Sequence, residues 1–378
     1  MFGYELPDTI LLLRKDGHVY FLATKKKCDF LHAAVKKVPE KSSLAALHLM
    51  LRNKEDNDIK NYETLMKEAF EARINGAKRV IGLVMKERDA NIQGGGLLGP
   101  WETKLSSVAA EQDVTLVDVA SGLSFTMSVK DETELDLMKK SSVLANKVMK
   151  HGYVKKMEEV IDSEQKITHE ALAAYIEDIL EDPSKLSLKV PKEDVQSCYF
   201  PIVQSGGVYD LRVSAQSTNA NLTNDVMIVS IGARYKKYCS NITRTFFVDP
   251  PKKVSETYDV LLAMQEACLS VMKPGNQLKD VYKAAVSYLE EKKGFEYLVQ
   301  HLPKSLGFCT GLDFRENTLL LSSKSQVAFK KGMMFCLSVG FQDLELNESD
   351  RSSLSEKSPV RSNYSLSCQR VIAMTFYI

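Results

Sequence analysis

A chain of 378 residues is long enough for two domains of ordinary size, each with its own hydrophobic core. Its 50 lysines and arginines nearly cancel its 49 aspartates and glutamates, which excludes a whole-chain attraction to nucleic acid or to an anionic membrane. Seven cysteines without a CxxC pair argue against a disulfide framework and a structural zinc site, and no run reaches the roughly 18 apolar residues that span a bilayer. We therefore expect a soluble intracellular protein.

The first third of the chain alternates short apolar runs with helical patterns. Asp16 and Gly17 lie between the runs TILLLRK and HVYFLA, and both residues tolerate positive φ, which predicts a hairpin. The runs AALHLML and RVIGLVM predict buried strands, with a helix over Tyr62 to Ile74 between them. These alternating elements predict a small α/β domain over residues 1–130.

A glycine-rich segment interrupts this first domain. It runs from Lys86 to Trp101 and carries a glycine triplet followed by Gly99 and Pro100, which predicts a surface loop. Trp101 should open the next helix and act as a packing anchor.

The remainder of the chain is rich in helical patterns. From Asp131 to about Val160 the spacing of apolar residues predicts a linking helix that starts a second domain. The segment from Thr168 to Leu180 is predicted to form another helix, with Thr168 as its N-cap. Two more helices are expected over Glu256 to Met272 and Leu278 to Lys293.

Three segments of this second half predict strands, because they are rich in β-branched and aromatic residues: SCYFPIVQSGG, VMIVSIGARYKKYCSNITRTFFV and GMMFCLSVGF. The middle segment contains two apolar runs around Arg234 to Lys237 and predicts an antiparallel hairpin. The fold class is therefore α/β (α+β), with the small domain followed by a larger one over residues 131–344.

The segments IGARYKKYCSNITRTFFV, GFCTGLDFRE and KGMMFCLSVGF, in that order, resemble the core of the creatinase, prolidase and aminopeptidase P superfamily, which has the pita-bread fold. The resemblance covers roughly Leu137 to Phe341. In active members the hairpin supplies two aspartates, a glycine-rich strand a histidine and a late strand a glutamate. Together these ligands hold two divalent metals, which lower the pKa of a bound water until it attacks a peptide carbonyl.

The four metal-ligand positions of that pattern hold other residues in this chain, namely Ser230, Asn241, Phe308 and Ser338. No histidine lies between His169 and His301, so the strands of the expected site offer no imidazole for metal or proton transfer. The resemblance therefore implies a non-catalytic module without metal or other cofactor. The alternative is an active metal-dependent aminopeptidase or prolidase, which predicts bound manganese, cobalt or zinc.

The same residues can also be explained by packing alone. Phe308 belongs to an apolar strand and is expected in the core or on a pocket floor, and strand neighbours can satisfy Ser230 and Asn241. An arginine in a groove can hold a carboxylate bidentately, although structural salt bridges rank slightly ahead of ligand recognition. The candidate groove or peptide-binding residues are Ser205, Gly206, Tyr209, Arg212, Arg244, Arg315 and Glu316.

A narrower resemblance follows from FGYELPDTI, from CYFPIVQSGG and from LGF followed by GLDFRE. These segments closely resemble the N-terminal modules of the large subunits of FACT histone chaperones. The resemblance implies binding of core histones without peptidase activity, a nuclear location, and association with a smaller HMG-box-related subunit only where downstream domains are present. It implies no membrane association and no strong direct nucleic-acid binding by this chain.

The chain departs from that family at both ends. Family members carry a further segment before FGYEL that supplies the first strand of the small domain, and the resemblance fades after about Leu344. Residues 345–378 are serine- and charge-rich before an apolar finish, which predicts a disordered extension or a truncated or mis-spliced product. A third hypothesis is a non-functional fragment whose small domain exposes a sheet edge.

Overall fold

The computed structural model of the chain describes residues 6–35, 45–71, 80–84, 96–224, 226–345 and 363–373. It forms two compact units, Met1–Leu123 and Ser124–Ile378. Both units combine helices with sheets, which confirms the predicted α/β (α+β) class. The predicted domain boundary at residue 130 stays a prediction. No helix in the described ranges is long and apolar enough to cross a lipid bilayer.

The small unit is built on two short sheets. Its strands are Ile10–Leu13 (β1), His18–Ala23 (β2), Ala46–Leu51 (β3), Val80–Leu83 (β4) and Thr115–Asp118 (β5). Its helices are Lys25–Val35 (α1), Ile59–Glu71 (α2), Leu98–Glu111 (α3) and Ala120–Ser128 (α4), the last of which crosses into the second unit. β1 pairs antiparallel with β2, and Gly17 between them has a φ of +85°, which confirms the predicted hairpin. β2 pairs parallel with β3, and β4 pairs parallel with β5.

The prediction of a surface loop from Lys86 to Trp101 is wrong for the C-terminal part of that segment. Residues 85–95 lie outside the described ranges. α3 begins at Leu98, so Gly99 and Pro100 lie in its first turn. Proline is tolerated there because a backbone N–H in the first turn has no helical acceptor. Trp101 is 7% exposed and its ring centroid lies 5.8 Å from that of Tyr62, which confirms it as a packing anchor.

The large unit begins with a long, interrupted helix. Its helices are Glu132–Lys147 (α5), Val154–Asp162 (α6), His169–Glu181 (α7), Lys252–Val271 (α8) and Leu278–Glu291 (α9), and a π-helix over Val148–Tyr153 joins α5 to α6. Asp131 and Glu134 form a capping box at the start of α5, with both hydrogen bonds at 2.8 Å. Thr168 Oγ1 accepts a 3.1 Å hydrogen bond from the amide of Ala171, which confirms the predicted N-cap.

One antiparallel sheet forms the centre of the large unit. Its strands are Val195–Ser197 (β6), Ile202–Gln204 (β7), Val226–Tyr235 (β8), Tyr238–Phe247 (β9), Gly307–Cys309 (β10), Glu316–Leu320 (β11), Met334–Glu345 (β12) and Asn363–Ala373 (β13). The strand order is β11-β10-β12-β13-β9-β8-β6, and β7 also pairs with β8. β8 and β9 form the predicted hairpin, with Lys236 and Lys237 at positive φ in its turn.

The last strand corrects a prediction. Asn363–Ala373, placed by the sequence in a disordered extension, forms β13 in the middle of the sheet, between β12 and β9. The ladder with β12 supplies backbone hydrogen bonds that composition does not reveal. Residues 346–362 and 374–378 lie outside the described ranges.

Helices cover one face of this sheet. Val229 and Ile231 of β8 belong to a buried cluster with α5, α6 and α7. Phe335 and Leu337 of β12 belong to a second buried cluster with α8 and α9. Because strand side chains alternate between faces, the residues between these positions point to the opposite face, which we call the groove face.

Candidate functional site

The four positions singled out from the sequence share the groove face of the sheet. They are Ser230 on β8, Asn241 on β9, Phe308 on β10 and Ser338 on β12. Each one alternates with a residue of the buried clusters: Ile231, Ile242, Cys309 and Leu337. The fold therefore brings these positions onto one surface, although they are distant in sequence.

A row of backbone register partners crosses this face. Ser338 is opposite Gln369 of β13, Gln369 is opposite Thr243 of β9, and Thr243 is opposite Ser230 of β8. The sequence did not point to Gln369, because it lies in the segment expected to be disordered. The central position of the row belongs to the last strand.

Tyr199 is the residue that organises the groove face, and no sequence pattern pointed to its role. Its hydroxyl donates to Oδ1 of Asn241 and lies 2.6 Å from Oγ of Ser230. Thr243 Oγ1 donates in turn to Ser230 Oγ at 2.7 Å. Burial raises the pKa of Tyr199 far above its usual value of 10.0, so the phenol stays protonated. A chain of hydrogen bonds between uncharged groups thus runs from Thr243 through Ser230 and Tyr199 to Asn241.

An aromatic stack continues from this chain of hydrogen bonds. The ring of Phe314 meets that of Tyr199 edge-on at 5.2 Å and that of Phe308 at 5.5 Å between centroids. The guanidinium carbon of Arg315 lies 5.4 Å from the centroid of Phe308. Among the residues that the structure describes, Nε of Arg315 is buried without a hydrogen-bond partner. Phe308 is 4% exposed, a burial that fits either the core or a pocket floor.

The residues present on the groove face do not fit a pair of divalent metals. Hard cations need carboxylate oxygens or imidazole nitrogens, whereas this surface offers hydroxyls, an amide and a phenyl ring. Asn241 and Ser230 already bond to the Tyr199 hydroxyl. In the described ranges, no three His, Cys, Asp or Glu side chains converge on a point that could hold a metal. No hydrolytic step follows from this donor set.

The loop after β7 contains the next candidate residues, and it is fixed from within. Ser205 is buried, with its Oγ 2.7 Å from Nε2 of His169, and it accepts from the amide of Thr223 at 2.9 Å. Burial lowers the pKa of His169, which favours the neutral ring. Gly206 adopts a φ of +79°, and Tyr209 donates to the carbonyl of Val226 at 2.7 Å. Ser205, Gly206 and Tyr209 therefore shape the loop.

The remaining candidates are separated from the groove cluster. Asp210 holds Arg212 through Nε at 2.9 Å and Nη2 at 2.7 Å, and the arginine side chain is 78% exposed. Arg244 lies between Ile242 and Phe246 on β9, which places it on the helix-covered face, and this corrects its predicted grouping with the groove residues. Glu316 begins β11 opposite Cys309.

A thiol pair beside the groove was also missed by sequence reasoning. Arg234 Nε lies 3.4 Å from Sγ of Cys239. A hydrogen bond from Cys198, helped by this guanidinium, lowers the pKa of Cys239 to about 7 against the effect of burial. Cys198 follows β6 and Cys239 lies on β9, so the pair gives no local sequence signal, because only tertiary structure brings the two residues together.

Comparison with known proteins places this geometry in a family. Residues 136–361 match the model of metallopeptidase family M24, and residues 1–122 match that of the FACT complex subunit SPT16 N-terminal lobe domain. The N-terminal domain of FACT complex subunit SPT16 from Cicer arietinum (chickpea) is 34% identical, with a TM-score of 0.85, covering 99% of this chain and 83% of that chain. The chain belongs to the family of SPT16 N-terminal domains.

The other similarities agree with this family. FACT complex subunit SPT16 from Oryza sativa subsp. japonica is 36% identical over 348 residues, which are 91% of this chain but 32% of that protein. The chain thus spans about a third of the length of such relatives. The X-Pro aminopeptidase from Thermotoga maritima, at 17% identity and a TM-score of 0.64, shows the fold alone, covering 97% of this chain and 85% of that chain. Both resemblances seen in the sequence are confirmed, including the pita-bread fold.

Proposed function

We propose that this chain is a non-catalytic histone- and peptide-binding module of a FACT-type histone chaperone subunit. Such a subunit acts on nucleosomes in the nucleus, during transcription, replication and repair. The observation that carries the proposal is the Tyr199 hydroxyl, which bonds both Ser230 and Asn241 at positions where active relatives of this fold need metal ligands. Membership in the SPT16 N-terminal family supports it.

Recognition on the groove face is assigned to Arg315. The side chain is half-buried, with its guanidinium carbon 5.4 Å from the ring centroid of Phe308, so a carboxylate of a bound peptide would pair with this guanidinium. Core histones are the proposed partners. Association with the smaller HMG-box-related subunit is proposed only for a protein that also carries the downstream domains implied by the family resemblance.

The alternative, an active metal-dependent aminopeptidase or prolidase, has no observation in its favour beyond the fold. It requires water activated by metals, and the hydroxyls, amide and phenyl ring of the groove face do not supply the ligands.

Binding of purified core histones to the immobilised chain at ~0.15 M salt tests the proposal, because nonspecific attraction between exposed charges is largely screened there. We expect binding above that of a neutral control protein, and its absence would overturn the proposal. Arg315→Ala should weaken binding about tenfold, equivalent to one charged hydrogen bond of roughly 1.4 kcal/mol. Arg212→Ala is the matched control, since that arginine is exposed and held by Asp210.

A second assay addresses catalysis. A prolyl dipeptide incubated with the chain and manganese, cobalt or zinc should remain intact. Hydrolysis that a chelator abolishes would restore the peptidase hypothesis.

A further inference from the structure

A cavity of about 570 Å³ opens among the helices of the large unit, at the junction of α5 with α6. Most of the ionisable residues that line the cavity are basic. Four lysines and a histidine face a single glutamate, and these residues are Lys147, Lys155, Lys156, Lys185, His151 and Glu159. The near-neutral charge of the whole chain hides this local excess of positive charge.

Two of the lysines are already paired. Lys156 lies 3.1 Å from Glu159, and Lys185 forms an ion pair with Asp178. The side chains of Lys147, His151 and Lys155 make no ion pair or hydrogen bond with any residue in the described part of the chain. The positive charge available to a ligand is therefore concentrated on Lys147 and Lys155, and His151 between them offers a ring nitrogen for a hydrogen bond.

The π-helix aligns the three side chains. Lys147, His151 and Lys155 are four residues apart, and in a regular α-helix each such step drifts by about 40° around the axis. The wider turn of the π-helix over Val148–Tyr153 holds more residues, so a four-residue step falls short of a full turn and offsets the drift. The three side chains thus form a nearly straight stripe, and π-helical turns of this kind frequently occur at functional sites.

Part of the lining is apolar, and we call it the apolar wall. It consists of Tyr175, Leu186 and Leu188, with Lys185 and Ser187 beside the two leucines in the chain, and Tyr175 is 37% exposed. A bare phosphate would be bound by the lysines but would gain nothing from this wall. A ligand that uses both the lysines and the apolar wall carries negative charges along one edge and an apolar group beside them.

We propose that this pocket binds an acidic peptide segment, with carboxylates on Lys147, His151 and Lys155 and an apolar side chain against Tyr175 and Leu188. Eight helical residues span ~12 Å, which four residues of an extended peptide also span. Glutamates at alternate positions of such a peptide lie about 7 Å apart, close to the spacing of successive helical turns. The proposal does not depend on histone binding at the groove face.

Fluorescence anisotropy of a labelled hexapeptide, ELEFEL, titrated with the 378-residue chain tests this site. We expect saturable binding that weakens as salt is raised. The double variant Lys147→Glu/Lys155→Glu should lower affinity at least about tenfold, because it reverses two of the available charges. Lys283→Glu/Lys293→Glu is the matched control, since both lysines are exposed outside the pocket, and it should change affinity less than about twofold.

Three competitors of the labelled peptide separate the contribution of negative charge from that of apolar contact. The neutral peptide QLQFQL should not compete, and ESESES and tripolyphosphate should compete at least about tenfold more weakly than unlabelled ELEFEL, because they do not use the apolar wall. Equal competition by tripolyphosphate would mean that the site binds a phosphate or charge alone and would overturn the peptide proposal. Equal loss of affinity in the control variant would also overturn it.

Covalent mapping provides an independent readout. Carbodiimide activates a glutamate carboxyl of the peptide as an O-acylisourea, and the nearest lysine amine attacks it to form an amide bond, while the carbodiimide leaves as a urea. We expect adducts at Lys147 and Lys155 by mass spectrometry. Adducts spread evenly over exposed lysines would contradict the site. Because Lys147 and Lys155 are exposed, Lys147→Gln/Lys155→Gln should keep the parent melting temperature and still lower affinity, which separates binding from misfolding.

Discussion

A Cβ atom added to Gly232 would lie 2.3 Å from Cε1 of Tyr199. The bare backbone of β8 at this point is what lets the tyrosine ring cross the strand and reach Ser230 and Asn241. Gly232 is therefore required for the hydrogen bonds of the Tyr199 hydroxyl, because it leaves room for the ring.

Gly232→Ala should consequently destabilise the large unit by about 2–3 kcal/mol, since the methyl group must displace a buried ring. Urea unfolding followed by circular dichroism measures the change. Gly122→Ala is the control, because Gly122 is exposed on α4 and a Cβ atom added there would contact no atom of the described residues within 4 Å outside its own helix and chain neighbours. The substitution should be neutral or stabilising by up to about 1 kcal/mol. Equal effects of the two substitutions would contradict the role given to Tyr199.

Restoring metal ligands should fail while Tyr199 is present. The variant Ser230→Asp/Asn241→Asp/Phe308→His/Ser338→Glu supplies the side chains that hard cations prefer. We expect it to retain no manganese after dialysis, because the phenol still occupies the space between the first two positions. Adding Tyr199→Ala should permit binding, measured by elemental analysis. Metal retained equally by both variants would show that Tyr199 does not block the site.

Acid should destabilise the chain through His169. Burial lowers its pKa in the folded state, so below the ordinary value of 6.5 the unfolded state takes up a proton more readily. The stabilisation is therefore present above pH 6.5 and is lost as the pH falls through the folded pKa. His169→Gln, which keeps a donor near Ser205, should flatten the melting temperature between about pH 7 and 5. An unchanged slope would refute this linkage.

The thiol pair offers a spectroscopic prediction. Arg234→Gln should raise the pKa of Cys239 from about 7 toward 9.0, because one of the groups that stabilise the thiolate is lost. Ultraviolet absorbance of the thiolate, with Cys239→Ala to assign the signal, follows this change. Cys268→Ala is a matched control, since burial raises the pKa of Cys268 to about 12. A titration unaffected by Arg234→Gln would count against the guanidinium as a cause.

The elements that depend on local pattern were predictable from the sequence. The hairpin at Gly17, the N-cap at Thr168 and the hairpin of β8 and β9 follow from turn residues and alternation. The groove face was predictable only through the order of family motifs. Tyr199 could not be found, because its role depends on a contact across β8 that has no sequence period.

The basic stripe and the last strand were hidden for different physical reasons. Lys147 and Lys155 align only because a π-helix replaces α-helical geometry, and periodicity analysis assumes the latter. Asn363–Ala373 follows a serine- and charge-rich stretch whose composition predicts disorder, yet a ladder with β12 satisfies its backbone.

The position of β13 also has a consequence for synthesis on the ribosome. β13 lies between β12 and β9, so the sheet of the large unit cannot close until the nascent chain has emerged beyond Ala373. Until then, two incomplete half-sheets present unpaired edges to the cytosol, which is the condition in which strands join the wrong partner. Chaperone engagement should therefore persist until residue 373 has emerged from the ribosome, and ribosome-bound chains arrested before residue 363 should remain more sensitive to protease than those arrested well after it.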